Sequence, residues 1–331
     1  MNAKRSATFK LGLNPYGLTY HLGLQGAGGP RANSKGAGLE GFIAIAKELG
    51  ARAIEIFDPW LRAMSDGELA TLRERLGELN MTPIVSSGLM MGPFDSAMRS
   101  ARALGANTIR FGLTTVLCGD RHALGAGWAE LVGNVGKALA VYGPRAADEG
   151  RKLAIENHQD FGSDELVAFC EANRGVGICL DMGNAFPVAE APLDFTRRVA
   201  PHLAHVHLKD YRVQFSDEGY RLVRCAIGDG AVPVGEMLDV IAEHHASMTA
   251  VLEPGALEAR HVRWLKPEWW TFYAPKSAPA LAACLAAARV NRLADDADYR
   301  TPWEKGEDAA LVDYELAMIR RSAANMRALG L

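Results

Sequence analysis

No two cysteines in this 331-residue chain stand at CxxC spacing, and only five occur, at positions 118, 170, 179, 225 and 284. An odd number of scattered thiols speaks against a disulfide framework or a zinc knot and fits a reducing cytosol. Cys170 and Cys179 lie in apolar contexts and read as core filler. Long apolar runs are missing too, so no membrane span is expected, and the opening "MNAKRSATFKLGLNPYG" has no apolar stretch long enough for a signal peptide. There is no Lys/Arg-rich block, and the net charge of −3 leaves no electrostatic footprint for nucleic acid. These absences point to a cytoplasmic protein with a small-molecule partner, neither nucleic acid nor membrane, and with homo-oligomerisation left open.

Nucleotide-binding signatures are absent as well. No apolar run is followed by GxGxxG, and the Gly-rich stretch "LQGAGGPRANSKGAG" (24–38) lacks GxxxxGK[ST], so it reads as a mobile active-site loop. What is present is alternation. Short apolar, β-branched runs at 10–18, 51–58, 81–89, 106–113, 151–159, 176–184, 203–211 and 248–256 predict eight strands. Helical periodicity fills the gaps, as in 39–50, 66–79, 129–142 and 234–245. Eight strands alternating with helices imply a parallel sheet closed into a (β/α)8 TIM barrel over 1–256. Residues 257–331 then form a C-terminal helical extension packed on the barrel, because helices at 277–290 and 307–330 need it to bury their apolar faces.

In such a barrel the strand ends face one mouth. There the chain offers Glu156 in "AIENHQD", Asp181 in "CLDMGN", His207 in "HVHLKD" and Glu253 in "VLEPG". Three carboxylates and one imidazole make a mostly hard oxygen set, suited to Mn²⁺ or Mg²⁺. Without a cation the carboxylates would repel one another. His158, two residues beyond Glu156, shares its face at strand periodicity, either as an additional acid/base or as a partner orienting a carboxylate. His205 reads as a hydrogen-bonded core residue one layer deeper than His207, and Glu55 as an inward residue behind the ligands. Lys209 and Arg212 are candidates for neutralising an acidic substrate group, and Tyr16, Trp269, Trp270 and Tyr273 for walling the site.

The four motifs, in this order and spacing, resemble the xylose-isomerase-like TIM-barrel superfamily of sugar isomerases and epimerases from about residue 10 to 256. The resemblance implies that Glu156, Asp181, His207 and Glu253 hold a divalent cation, usually Mn²⁺, with Mg²⁺ or Co²⁺ as alternatives. It also implies that Glu156 and Glu253 serve as the acid/base pair on the two faces of a keto sugar. Ketohexose epimerases of the superfamily carry a Glu, a His and an Arg where this chain has Gly162, Asn184 and Val213. Its grip on substrate therefore differs, with Asn184 as the substrate-binding candidate at the second of those places. Lys209 in "HLKD" resembles a commoner branch with diverse substrates.

A cation chelated by a ketone oxygen and its neighbouring hydroxyl stabilises an enediolate, so proton return gives isomerisation or epimerisation. Loss of CO₂ or of a leaving group from the same intermediate makes the site a lyase, such as a decarboxylase of a 3-oxo sugar acid or a C–C cleaving enzyme on a 3-oxo glycoside. His158 and the altered grip motivate that alternative. The superfamily's DNA-repair nucleases are a further reading, disfavoured by net negative charge and a single ligand set. A non-catalytic sugar-binding barrel would not need all four ligand residues.

Overall fold

The computed structural model describes residues 2–88 and 94–331. Its eleven strands are β1 (Phe9–Leu13), β2 (Ala53–Phe57), β3 (Thr82–Gly88), β4 (Thr108–Gly112), β5 (Lys152–Glu156), β6 (Val176–Asp181), β7 (Leu203–Leu208), β8 (Tyr211–Ser216), β9 (Gly219–Arg224), β10 (Met248–Leu252) and β11 (Arg260–Val262). Eight of them close a barrel in the order β1-β10-β7-β6-β5-β4-β3-β2, and every pairing in it is parallel. The fold is a (β/α)8 barrel. Closure brings β1 so near β2 that a Cβ on Gly12 would lie 2.4 Å from the Ala53 carbonyl oxygen. Only glycine fits at that seam.

Seven of the eight barrel strands stop before the expected end, where loop residues take over at the mouth. The run expected at 10–18 ends at Leu13, where Asn14 Oδ1 accepts from the Tyr16 amide at 2.7 Å and starts a short helical turn, Pro15–Gly17. Leu89, the last residue of the expected 81–89 strand, lies outside the described residues. The largest departure follows β7. The expected 203–211 strand ends at Leu208, and Tyr211 opens a β8–β9 hairpin that β11 extends into a three-stranded antiparallel sheet. Alternation was available in "YRVQFSDEGYRLVR": Val213, Tyr220 and Leu222 are buried on either side of a polar turn.

Beyond β11 the chain forms helices Ala278–Ala288 and Leu311–Ala328. The second buries Leu311, Ile319 and Met326 on one face. The same helix carries Glu315, fully buried, whose carboxylate accepts from the amides of Tyr20 at 3.1 Å and His21 at 2.8 Å. It thereby ties down the loop after β1. The Gly-rich stretch 24–38 is also held: Arg31 stacks over Trp303 at 3.7 Å and pairs with Asp308. Among the described residues no helix is long and apolar enough to cross a membrane.

Candidate metal centre

Parallel register carries the ligand candidates to one level. Glu156 is the last residue of β5 and Asp181 the last of β6; His207 lies opposite Asp181 on one side and Val251 on the other, and Glu253 follows β10 directly. Each of Glu156, Asp181, His207 and Glu253 offers one ligand atom, all within 4.8 Å of one another, and all four residues are buried. They line or underlie a cavity of about 740 Å³ at the C-terminal mouth of the barrel, a size suited to a sugar.

His207 is oriented from behind. Its Nε2 lies 2.7 Å from Glu55 Oε2, which also takes His205 Nε2 at 3.0 Å, while Glu55 Oε1 accepts from Arg110 Nε at 3.0 Å. This network assigns the protons to both Nε2 atoms, leaving His205 Nδ1 to accept from Thr249 and aiming the His207 Nδ1 lone pair at the cluster. There Nδ1 stands 2.7 Å from Glu253 Oε2 and 3.5 Å from Glu156 Oε1. Both Nδ1 and Glu253 Oε2 are buried without a hydrogen-bond partner. Two acceptors facing each other so closely call for a positive charge between them, and a divalent cation fits that demand.

The electrostatics agree. A proton on Nδ1 would meet the same demand for positive charge: burial opposes charge on His207, yet Cys179, Glu55 and Glu253 push its pKa well above the ordinary imidazole value. Burial works against the Glu156 carboxylate too, but Arg110 and then His207 hold its pKa far below normal. Asp181 is pushed up to about 7 by burial, with Lys209 opposing and Glu253 and Glu156 adding to the rise. The Lys209 ammonium bonds both Asp181 Oδ2 and Glu253 Oε1, the latter at 2.8 Å. It supplies one positive charge to a cluster that calls for more.

The other sequence candidates scatter. Tyr16 borders the cavity beneath the Arg110 guanidinium, 5.6 Å from its ring. His158 also borders the cavity, but from a loop, since β5 ends at Glu156 and the strand-periodicity argument does not reach it. Asn184 turns away from the substrate space and donates to Asp181 Oδ2 at 2.8 Å. Arg212 does not join the mouth at all: on β8 its neighbours Tyr211 and Val213 point inward, so Arg212 faces solvent and reaches the Asn291 carbonyl at 3.2 Å. Trp269 and Tyr273 stack at 4.4 Å and bond the carbonyls of Cys118 and Gly119, bracing a loop and not walling the cavity.

Several residues at the site were not singled out from sequence. Arg110 reaches Glu55, Glu156 at 3.4 Å and Ser86 Oγ at 2.6 Å. Its inward parity in "TIRFG", between buried Ile109 and Phe111, was the available signal. Asn157 pins the Asp181 backbone on both sides, accepting from its amide at 2.6 Å and donating to its carbonyl at 2.9 Å.

Asp160, in the same motif, is fully buried and accepts from Thr114 Oγ1 at 2.8 Å and the Phe161 amide at 2.9 Å. Burial pushes its pKa up to about 7 against those two bonds. A carboxyl whose folded value lies above its unfolded value of about 4 stabilises the fold in full below that lower value and ceases to do so as pH rises towards 7. Asp160→Asn is therefore expected to flatten the fall in stability between about pH 4 and 7. Urea midpoints across that range measure it, and parallel slopes for the two proteins would mean that Asp160 is ionised in the native state.

A family model described as xylose isomerase-like TIM barrel matches residues 43–268. The uncharacterised protein YihM of Escherichia coli K12 is 25% identical over 185 residues, 53% of this chain and 52% of YihM, so the chain spans about half the length of that relative. The 3-oxo-isoapionate decarboxylase of Pectobacterium atrosepticum is 23% identical over 243 residues, 70% of this chain and 84% of the enzyme. Among solved structures, a D-psicose 3-epimerase with D-fructose superposes with a TM-score of 0.54 at 16% identity, covering 89% of this chain and 95% of that one. A xylose isomerase-like TIM-barrel protein from Mycobacterium smegmatis in complex with magnesium gives 0.52 at 18% identity, covering 85% and 91%. At these identities the structural likeness is one of fold.

Proposed function

The chain belongs to the xylose isomerase-like TIM-barrel family, and from that premise we propose that it is a divalent-metal-dependent enzyme of carbohydrate catabolism that moves a proton beside the keto group of a keto sugar or keto sugar acid, isomerising or epimerising it. The observation that carries this reading is the convergence of Glu156 and Glu253 on His207 Nδ1, at 3.5 Å and 2.7 Å, inside a cavity of sugar size. A cation held by Glu156, Asp181, His207 and Glu253, Mn²⁺ by preference with Mg²⁺ or Co²⁺ as alternatives, would supply a Lewis acid that stabilises negative charge on oxygen next to the reacting carbon.

The chain's own groups do the proton work. Glu253 is oriented by Lys209, which bonds Oε1 at 2.8 Å, and it is the carboxylate at the cavity wall that we assign to take the α-proton. Glu156, kept ionised by Arg110, can take a proton on its own side of the substrate and return one only after it has taken it. Lys209 steadies the pair of carboxylates it bridges, Tyr16 closes one wall, and His158 at the rim serves groups that neither glutamate reaches. Two observations favour a lyase as the second reading: His158 borders the cavity, and the relative matched over 84% of its length is a decarboxylase.

Proton NMR in D₂O with Mg²⁺-loaded protein and a panel of keto sugars and 3-oxo sugar acids is the test. Deuterium entry with the carbon skeleton intact is expected, EDTA should abolish it, and added Mg²⁺ or Mn²⁺ should restore it. Release of CO₂ would assign the lyase, and turnover that survives chelation would remove the metal from the reaction.

A further inference from the structure

Four Arg and Lys side chains line the cavity, and three are matched. Arg62 pairs with Asp58 at 2.6 Å, Arg110 with Glu55 at 3.0 Å and Glu156 at 3.4 Å, and Lys209 with Asp181 and Glu253. Arg260 is the exception. Among the described residues it has no carboxylate within ion-pair distance, and its Nε is buried without a hydrogen-bond partner. Glu258, the nearest acidic residue in the chain, instead accepts from Gln25 Nε2 at 3.2 Å. A guanidinium always carries its charge, and leaving the Nε donor both desolvated and unpaired is costly unless something enters to meet it.

The backbone around Arg260 is fixed. It stands on β11, paired with Leu222 of β9, in the three-stranded sheet beside the mouth. Its fork of N–H donors matches a planar or tetrahedral oxyanion. Arg260 forms no ion pair with Glu156 or Glu253, which are paired instead with Arg110 and Lys209, so its charge stays available to a group on the substrate.

We propose that Arg260 receives an oxyanion borne by the substrate, a carboxylate or a phosphate ester, and that this barrel therefore selects an anionic keto sugar over a neutral one. The assignment rests on the keto-sugar reading above and narrows it. It also gives a role to the β8–β9–β11 sheet, which delivers to the cavity a cation that the eight barrel strands do not supply.

Isothermal titration of the Mg²⁺-supplemented protein with D-fructose, D-fructuronate and D-fructose 6-phosphate tests it, because the three share a keto end and differ at C6. At least one anion is expected to bind on the order of tenfold to a hundredfold more tightly than fructose. Arg260→Ala and Arg260→Gln should erase that advantage and leave fructose binding unchanged. An advantage confined to fructuronate identifies a carboxylate, and one confined to the phosphate identifies a phosphate ester. No charge preference in the parent protein, including no binding by any of the three, overturns the proposal. So does an advantage that survives both substitutions, or an equal loss for fructose. Deuterium exchange separates this from the reaction itself: Arg260-dependent binding without exchange sinks the proton-transfer reading alone, and exchange without charge preference sinks only the role of Arg260.

Discussion

Glu253→Gln is expected to lower turnover by about 10²–10⁴-fold while the barrel stays folded. Glutamine keeps the shape of the side chain and can still accept the Lys209 hydrogen bond made at 2.8 Å. It lacks the charge that faces His207 Nδ1, and an amide does not take up a proton near neutral pH. Three readouts on one sample separate the roles: deuterium exchange into substrate, bound metal by elemental analysis, and circular dichroism. Lost exchange with metal retained assigns Glu253 to proton transfer, and joint loss assigns it first to the cation. Activity within about fivefold of the parent would take it out of the mechanism, since general acid–base catalysis is worth far more than that.

A second large effect is expected one layer below. Glu55→Leu should destabilise the protein by roughly 3–5 kcal/mol, the usual cost of leaving a buried charge without its partner. Glu55 is fully buried, and although burial opposes its ionisation, His207 and Arg110 hold its pKa well below normal. Remove it and Arg110 keeps Glu156, at 3.4 Å, as its one carboxylate partner, while two imidazole N–H groups lose their acceptor. Because His207 would also lose the bond that orients it, metal affinity should fall about 10–100-fold. Urea midpoints and metal titration measure the two effects. Pairing the change with Arg110→Met should recover part of the stability and none of the affinity, since it removes the stranded charge without restoring the orientation of His207. A loss below about 1 kcal/mol in the single variant would mean that water or a neighbour already compensates Arg110.

The barrel was legible because alternation of short β-branched runs with helical segments survives in the sequence without any knowledge of contacts. Where it ended was less so: β5 stops at Glu156 and β7 at Leu208, each before the end its apolar pattern suggested, since loop residues at the mouth are buried too. That Glu156, Asp181, His207 and Glu253 converge could be read because they fall together at the ends of neighbouring barrel strands. Arg110 escaped because a cation in a strand does not by itself announce a site; its meaning lies in the Glu55 and Glu156 carboxylates on other strands. Arg212 misled for the opposite reason. Closeness in sequence to His207 made it a candidate, and the start of a new hairpin at Tyr211 turned its side chain outward.

The bond from Glu315 to the Tyr20 amide spans 295 residues of sequence. A ribosome therefore releases all eight barrel strands, the last of which ends at Leu252, well before it releases the residue that secures the wall carrying Tyr16. Closing so distant a contact is the slow, entropy-limited kind of step. Synthesis thus has a built-in order, in which the barrel floor that carries Glu156, Asp181 and His207 can assemble on the emerging chain and the wall above it is clamped only near the end of translation.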